Sequence, residues 1–164
     1  MARGAAALVL ALGLGSDAAG GLWLRPDVAD SLGSDVRSLA AAGGVFWAGT
    51  VSGVYRGTDL WQPWTLDGLS GLAVSSVAVL GPEVFAATGE ELWRRSADGS
   101  WTRETLPSSA AFPTTVAVDA AGTLWAGGLG AWRRTGTTWT AAPSPGSGLV
   151  TAMLPDVGGL VVGL

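Results

Sequence analysis

Short apolar stretches separated by turn-forming residues run through most of the chain. They are about three to six residues long and are interrupted by Gly, Pro, Asp or Ser, a spacing typical of short β-strands. Amphipathic helices would need apolar residues at three- and four-residue spacing over about ten residues or more. Such runs are absent, and glycine is too frequent for helical repeats. The pattern therefore predicts an all-β protein.

Three columns of aromatic residues recur at a nearly constant distance along the sequence. Neighbouring members of a column lie 37 to 40 residues apart. Each period also contains four strand-like segments, and four strands in about 40 residues is the period of a β-propeller blade. The columns are Trp47, Phe85 and Trp125; Tyr55, Trp93 and Trp132, each followed by Arg; and Trp64, Trp101 and Trp139, each followed by Thr.

The predicted fold is a β-propeller of about four blades, each with four antiparallel strands. Three repeats are complete, at about 35–72, 73–113 and 114–148, and residues 149–164 supply the first two strands of a fourth. Aromatic side chains would fill the gaps between neighbouring blades. Because truncation of a buried Trp costs roughly 3–5 kcal/mol, Trp125→Ala is expected to unfold the domain.

Tight turns are predicted between the first and second strands of each repeat. Glycine occurs in all three turns and permits positive φ at little steric cost. The turns lie at Gly43-Gly44, Gly81-Pro82 and Ala121-Gly122.

The first 20 residues allow two interpretations. Arg3 near the start, an apolar block at 4–15 and small residues at 16–20 are typical of a secretory signal peptide. Alternatively, residues 17–23 nearly repeat residues 119–125, in which case the start is a partial first repeat strand. The favoured division is a signal peptide at 1–20 and a propeller domain at 21–164, which predicts a periplasmic or secreted protein.

The number of blades also has two interpretations. Residues 21–27 are similar to the third-strand segment 53–59, so residues 21–34 are candidates to complete the fourth blade. Such a split blade would close a ring of four and give a monomer. The alternative is a piece of a longer propeller of about six to eight blades, or part of an oligomer.

The repeats resemble those of bacterial Asp-box (BNR-type) proteins and of periplasmic propellers in two-component regulators. The shared run is Phe46–Thr50, Gly53–Arg56 and Trp64, and the resemblance covers about residues 35–164. It implies a propeller in which the Asp of the box S-x-D-x-G-x-x-W ties up a turn between outer strands. The resemblance therefore implies a structural role for the motif and no chemistry.

The Asp-box itself is only partly kept. The segment 57–64 keeps the Asp-to-Trp spacing, but Gly57 replaces Ser and Trp61 replaces Gly. The segment 96–101 keeps Ser, Asp, Gly and Trp in a loop two residues shorter, and 135–139 has no Asp. The fold prediction therefore depends more on the repeat period than on the box.

Composition narrows the possible chemistry. The chain has no Cys, His or Lys, and 9 Arg against 13 acidic residues give a net charge of −4. These absences exclude a thiolate nucleophile, an imidazole base and an ordinary catalytic zinc site. The acidic balance argues against nucleic-acid binding, and after residue 22 no apolar run approaches the roughly 20 residues of a membrane helix. We predict no catalytic residues, no cofactor, no metal, no nucleic-acid partner and no integral membrane segment in the mature chain.

Several side chains are candidates for ligand contacts, and for each a structural role is favoured. Trp61 breaks the repeat and is either a stacking platform for a sugar or peptide or a plug beside Pro63. Glu90, Glu91 and Asp98 are a candidate cation site or acid pair, but adjacent strand residues point to opposite faces. An arginine column is either a basic stripe for an anionic ligand or a solvated face stacked on Trp. This column comprises Arg56, Arg94, Arg95, Arg133 and Arg134. The connections 108–111 and 143–148 have no chemical signature.

The function predicted first is an exported, non-enzymatic propeller that binds a protein or glycan through loops on one face. The second hypothesis is the extracytoplasmic sensory propeller of a two-component regulator. The third is an Asp-box glycosidase, whose resemblance implies an Arg cluster with a Tyr and carboxylates. Only Tyr55 is available for that role, and it occupies a repeat column, so an enzyme is disfavoured.

Overall fold

The computed structural model describes residues 35–59, 62–107, 110, 112–143, 148–156 and 159–163. The predicted signal peptide, the candidate strand donor at 21–34 and Trp61 lie outside these residues. Fourteen strands occur within them, all neighbouring strands pair antiparallel, and no helix long and apolar enough to cross a membrane is found there.

The strands form four successive sheets, three with four strands and one with two among the described residues. We call these sheets blades 1 to 4, and within each blade the strands pair in sequence order. The all-β propeller prediction is confirmed by this arrangement. Blade 1 comprises β1 (Val36–Ala42), β2 (Val45–Thr50), β3 (Gly53–Gly57) and β4 (Thr65–Gly68). Blade 2 comprises β5 (Ser76–Leu80), β6 (Glu83–Ala87), β7 (Leu92–Arg95) and β8 (Trp101–Arg103). Blade 3 comprises β9 (Thr115–Val118), β10 (Leu124–Gly128), β11 (Gly130–Thr135) and β12 (Thr138–Ala141), and blade 4 comprises β13 (Ala152–Asp156) and β14 (Gly159–Gly163).

The first strand of each blade is its inner strand. Strand β1 contacts β5, β5 contacts β9, and β9 contacts β13. The four sheets therefore succeed one another along an arc, as blades do around a propeller axis.

The loops fall on two opposite faces because the strands alternate in direction. Turns within the first and last strand pairs of each blade lie on one face, which we call the hairpin face. Gly43, Gly44, Gly81 and Gly122 have positive φ there, at the predicted tight turns. The loops between second and third strands, and the connections between blades, lie on the opposite face, which we call the connection face.

Each blade has two sides in the arc. The side toward the following blade is the trailing face, with Trp47 in blade 1 and Phe85 in blade 2. The side toward the preceding blade is the leading face, with Val77 and Ala86 in blade 2. Trp47 is 6% exposed and Phe85 is fully buried, because each is covered by the leading face of the next blade. The apolar core consists of these junctions.

Hydroxyl groups join inner strands across the junctions. Ser38 Oγ in blade 1 accepts the backbone N–H of Val77 in blade 2 at 3.0 Å. One repeat later, Ser76 Oγ accepts the N–H of Val116 at 3.1 Å and lies 3.2 Å from its carbonyl oxygen. The repeat in sequence is therefore also a repeat in inter-blade hydrogen bonding.

The fourth blade differs from the others. On its trailing face Leu154 is 66% exposed and Val161 is 57% exposed, so blade 1 does not cover it. Trp125, on the trailing face of blade 3, is only half-buried. The described residues therefore form an open arc and not a closed ring.

Candidate functional site

Arg95 of the arginine column lies in the junction between blades 1 and 2. Its Nε and Nη2 donate to the two carboxylate oxygens of Asp67 at 2.7 and 3.1 Å, and both side chains are largely buried. Trp101 Nε1 donates to the same carboxylate at 3.0 Å. A bidentate, charge-assisted contact of this kind fixes the two outer strands relative to each other.

The same arrangement recurs between blades 2 and 3. Arg134 Nε donates to Glu104 Oε1 at 3.0 Å, and Trp139 Nε1 donates to that oxygen at 3.3 Å. Glu83 and Arg94 extend this contact, since Glu83 lies 3.2 Å from Arg94 and 3.4 Å from Arg134. These two junctions thus each hold an acid from one blade and an Arg and a Trp from the next, a set that we call the clamp.

An aromatic ring completes each clamp. The guanidinium of Arg95 lies 4.9 Å from the Trp47 ring centre, and that of Arg134 lies 5.1 Å from the Phe85 ring centre. Arg56 also lies over Trp47, at 5.5 Å. Of the five arginines in the column, Arg95 and Arg134 therefore make stacking and ion-pair contacts between blades. Arg56 and Arg94 contact side chains of their own blade, and Arg133 is exposed.

Sequence reasoning missed the acidic members of the clamp. Asp67 and Glu104 each follow the Trp of the third column by three residues, in Trp-Thr-x-acid. Extending that column by three residues would have found them. At the equivalent place in the third repeat stands Ala142, and Gly57 stands where blades 2 and 3 have the clamp Arg.

The predicted carboxylate cluster is divided among separate contacts. Glu91 pairs with Arg103 at 2.9 Å on the connection face. Asp98 lies in a hairpin-face turn, where it accepts the backbone N–H and the hydroxyl of Ser100 at 2.9 and 2.7 Å. Those hydrogen bonds lower the pKa of Asp98. Among the described residues no group of three or more possible metal-ligating side chains is found.

Asp119 holds the turn between the first and second strands of blade 3. Its carboxylate accepts the indole N–H of Trp125 at 2.8 Å and the backbone N–H groups of Ala121 and Thr123 at 3.0 and 2.8 Å. The bond from Trp125, followed by that from Thr123, lowers the pKa of Asp119. Both perturbed carboxylates therefore organise turns on the hairpin face.

A groove of about 480 Å³ opens on the connection face beside blade 2. Its acidic wall is the loop between β6 and β7, and its opposite wall is the connection that follows β8. Leu92 and Ala110 are part of the lining but are buried, so they present almost no surface to solvent. The lining residues are Glu90, Glu91, Leu92, Arg103, Glu104, Thr105, Leu106, Pro107 and Ala110.

A strained and exposed aromatic residue, Phe112, follows the groove-lining Ala110 by two residues. Phe112 has a φ of 57° and is 54% exposed. Gly89 N donates to Pro113 O at 2.9 Å, so the acidic loop runs beside Phe112. Left-handed backbone at a bulky residue costs about 1–2 kcal/mol and is concentrated at functional sites. We take the groove and Phe112 as the candidate site, because they combine a concave surface, an exposed ring and negative charge.

A second residue with this backbone lies on the same face. Leu69, with a φ of 55°, follows the outer strand of blade 1. Leu72, Leu129 and Leu149 are exposed in other loops of the connection face, and Leu129 and Leu149 form a β-bridge. Exposed apolar side chains are thus concentrated on the face that carries the groove.

No protein-family model matches the chain, and no curated protein sequence matches it. Several solved structures are similar to it. The extracellular domain of a hybrid two-component system from B. thetaiotaomicron is similar at a TM-score of 0.63 and 19% identity, over 79% of this chain and 20% of that one. The chain thus spans about a fifth of that protein's length.

Two further similar structures belong to proteins with different names and roles. Streptogramin B lyase matches at a TM-score of 0.60 and 15% identity, over 76% of this chain and 46% of that one. YCF48 bound to a D1 peptide matches at 0.58 and 17%, over 79% of this chain and 48% of that one. At identities this low, the similarity shows the propeller fold alone and carries no information about activity.

Proposed function

We propose that this chain is a non-enzymatic binding module whose partner is a protein bound at the connection face. The observation that carries the proposal is the exposed ring of Phe112 on left-handed backbone, two residues beyond the groove-lining Ala110. Half-exposure of a large apolar ring and local backbone strain are both unfavourable in an isolated fold. A partner that covers the ring makes the arrangement useful.

The chemistry of the groove specifies the kind of partner segment. The half-buried Leu106 and Pro107 offer apolar contacts. Glu90 and Glu91 add two negative charges against the one positive charge of Arg103, and the third lining acid, Glu104, is held in the clamp by Arg134. An extended peptide with an apolar anchor and a neighbouring Lys or Arg would complement this surface. A glycan is a weaker candidate, because the exposed ring of Phe112, on which a sugar could stack, lies outside the groove's lining, which contains no aromatic side chain.

Similar propellers support a protein partner. One of the similar structures is YCF48 with a bound D1 peptide, and another is a nidogen–laminin complex. A similar structure is also described as a lyase, but the described clamp carboxylates and arginines of this chain bind one another across blade junctions. Binding therefore agrees better than catalysis with the side chains at hand.

A second candidate function is sensory. The similarity to the extracellular domain of a hybrid two-component system favours an extracytoplasmic propeller that passes a binding event to a kinase. The gene provides the test: an in-frame membrane helix and kinase beyond the codon for Leu164 would support this function, whereas a stop codon there would contradict it.

Peptide selection tests the binding proposal. The purified full chain would be screened against a phage-displayed random peptide library and, in parallel, against a printed glycan array. We expect enrichment of peptides that combine apolar and basic residues. We also expect Phe112→Ser to weaken their binding by about tenfold or more, which corresponds to about 1.4 kcal/mol.

The matched control is Leu66→Ser, an exposed apolar residue on the leading face of blade 1 and away from the groove. It should leave peptide affinity unchanged. Enrichment only on the glycan array, or peptides that bind the Phe112→Ser variant as well as the original protein, would contradict the proposal.

A further inference from the structure

The trailing face of blade 4 displays an apolar surface that is uncovered. Leu154 on β13 and Val161 on β14 are direct register partners, so their side chains lie on one side of the sheet. The opposite side packs on blade 3, where a Cβ placed on Gly127 would lie 2.7 Å from Met153 Cε. The exposed pair therefore faces away from the rest of the arc.

The equivalent positions in blades 1 and 2 show which kind of surface packs against this face. Leu154 and Val161 occupy the register positions held by Ala78 and Phe85 in blade 2. In blade 2 that pair is buried by the leading face of blade 3. Blade 1 shows the same at its own pair, of which Trp47 is buried by blade 2. By this equivalence, the surface on blade 4 has the form of a junction that accepts the leading face of another blade.

The leading faces of this chain differ in whether they suit an aliphatic surface. Those of blades 2 and 3 bring Arg95 and Arg134, which need an acid and an aromatic ring across the junction. The leading face of blade 1 has Gly57 at that position, and the Trp64 ring packs against it, 3.0 Å from a Cβ placed there. A junction between blades 4 and 1 would therefore bury no unpaired guanidinium.

The leading face of blade 1 also has apolar surface available. Leu66 and Ala41 are exposed, and Leu39, Phe46 and Tyr55 are half-buried. Ala41 is on the inner strand at the position that Val79 holds in the junction between blades 1 and 2. Both ends of the arc thus expose apolar side chains on the faces that a junction would cover.

We infer that two copies of this chain pair end to end, with the trailing face of blade 4 in each copy against the leading face of blade 1 in the other. Two such contacts are related by a two-fold axis and close one ring from two arcs. Each contact joins two different surfaces, the trailing face of blade 4 and the leading face of blade 1. Each copy therefore contributes one surface of each kind. The inference is independent of the proposed function, because neither face includes the groove.

Molecular-mass measurement of the full chain tests the inference. Light scattering after size-exclusion chromatography should give twice the 16.4 kDa of a single chain. Leu154→Arg on the trailing face and Ala41→Arg on the leading face should each yield a monomer. Because both residues are exposed, the thermal unfolding midpoint of the monomer should show that each variant folds.

Mixing the two monomeric variants separates this arrangement from other modes of pairing. The Leu154→Arg variant keeps an intact leading face and the Ala41→Arg variant keeps an intact trailing face, so a mixture should regain one contact and form a dimer. The control is Leu72→Arg, an exposed leucine on the connection face, which should remain dimeric. A monomeric original chain, an open-ended larger assembly, or a dimer that Ala41→Arg leaves intact would overturn the inference.

Discussion

The junctions within the arc are built in two ways. Between blades 1 and 2, and between blades 2 and 3, an acid on one blade binds an Arg and a Trp of the next, and the Arg stacks on an aromatic ring. Between blades 3 and 4, Ala142 stands in place of the acid, and the described contacts are backbone and hydroxyl hydrogen bonds together with apolar packing of Val150 and Met153 against Gly127. Thr114 Oγ1 donates to Val150 O at 2.5 Å, and Val150 N donates to Gly128 O at 2.9 Å.

The comparison shows that two sets of residues in the repeat have different structural roles. Small inner-strand residues and hydroxyls set the spacing of neighbouring blades, and this set occurs at every described junction. The clamp adds a fixed relation between outer strands, but only where both neighbours supply their part. Trp47 and Phe85 are consequently buried, whereas Trp125 of the same column remains half-exposed.

The largest expected effect comes from truncating the aromatic column at a clamped junction. Phe85→Ala should cost about 3–5 kcal/mol in the free energy of unfolding, because the ring is fully buried. Trp125→Ala, which the sequence alone expects to unfold the domain, should cost about 2 kcal/mol or less, since half-burial removes less apolar area from water. Urea denaturation measures both. Equal losses would contradict the difference between the junctions.

The next effect concerns the clamp acid. Asp67→Ala leaves the largely buried Arg95 without its carboxylate and Trp101 without its acceptor, which should cost about 2–4 kcal/mol. Ala142→Glu places an acid at the equivalent site of blade 3 and, with no clamp Arg described opposite it, should change stability by less than about 0.5 kcal/mol. Thermal or urea unfolding of the two variants provides the comparison. A small loss for Asp67→Ala would show that the ion pair is dispensable.

A smaller effect is expected from the hydroxyls that occur independently of the clamp. Ser76→Ala removes the partner of the Val116 N–H in a buried position, which should cost about 1–2 kcal/mol. Thr102→Ala is the control, because its hydroxyl is exposed and makes a long 3.5 Å contact with Arg94 O. Chemical denaturation should show a loss for the first substitution and almost none for the second; the reverse order would be inconsistent with the inter-blade role of Ser76.

The smallest effect is a pH dependence at the turn of blade 3. Because the folded pKa of Asp119 lies below its ordinary value of 3.8, its contribution to stability is complete above that value. The contribution is lost as pH falls through 3.8 toward the folded pKa. Asp119→Asn should therefore reduce the difference in unfolding free energy between about pH 6 and about pH 3. An unchanged difference would mean that the Trp125 hydrogen bond does not stabilise the ionised carboxylate.

Much of the fold is predictable because the residues that determine it recur at a fixed spacing along the sequence. The turn glycines, the strand segments and the aromatic columns recur at one period, and one period corresponds to one blade. Trp125 shows where this reasoning stops: its column position equals that of Trp47, but its burial depends on the neighbouring blade, which spacing does not describe.

The candidate site was less accessible from sequence for a physical reason. The clamp acids were detectable as Trp-Thr-x-acid, but their partners lie 28 to 30 residues away in the next blade. The groove and the left-handed backbone of Phe112 arise from the path of an irregular connection that has no repeat. Only the groove and the backbone of Phe112 require the three-dimensional structure to be recognised.

A double-mutant cycle on Glu104 and Arg134 tests most directly whether clamps couple the blades. Glu104→Gln, Arg134→Met and the double variant would be compared with the original protein by urea denaturation. Side chains in a shared, largely buried ion pair should show a coupling of about 1–3 kcal/mol. A coupling below about 0.3 kcal/mol would mean that the two charges act independently and that apolar packing alone joins the blades.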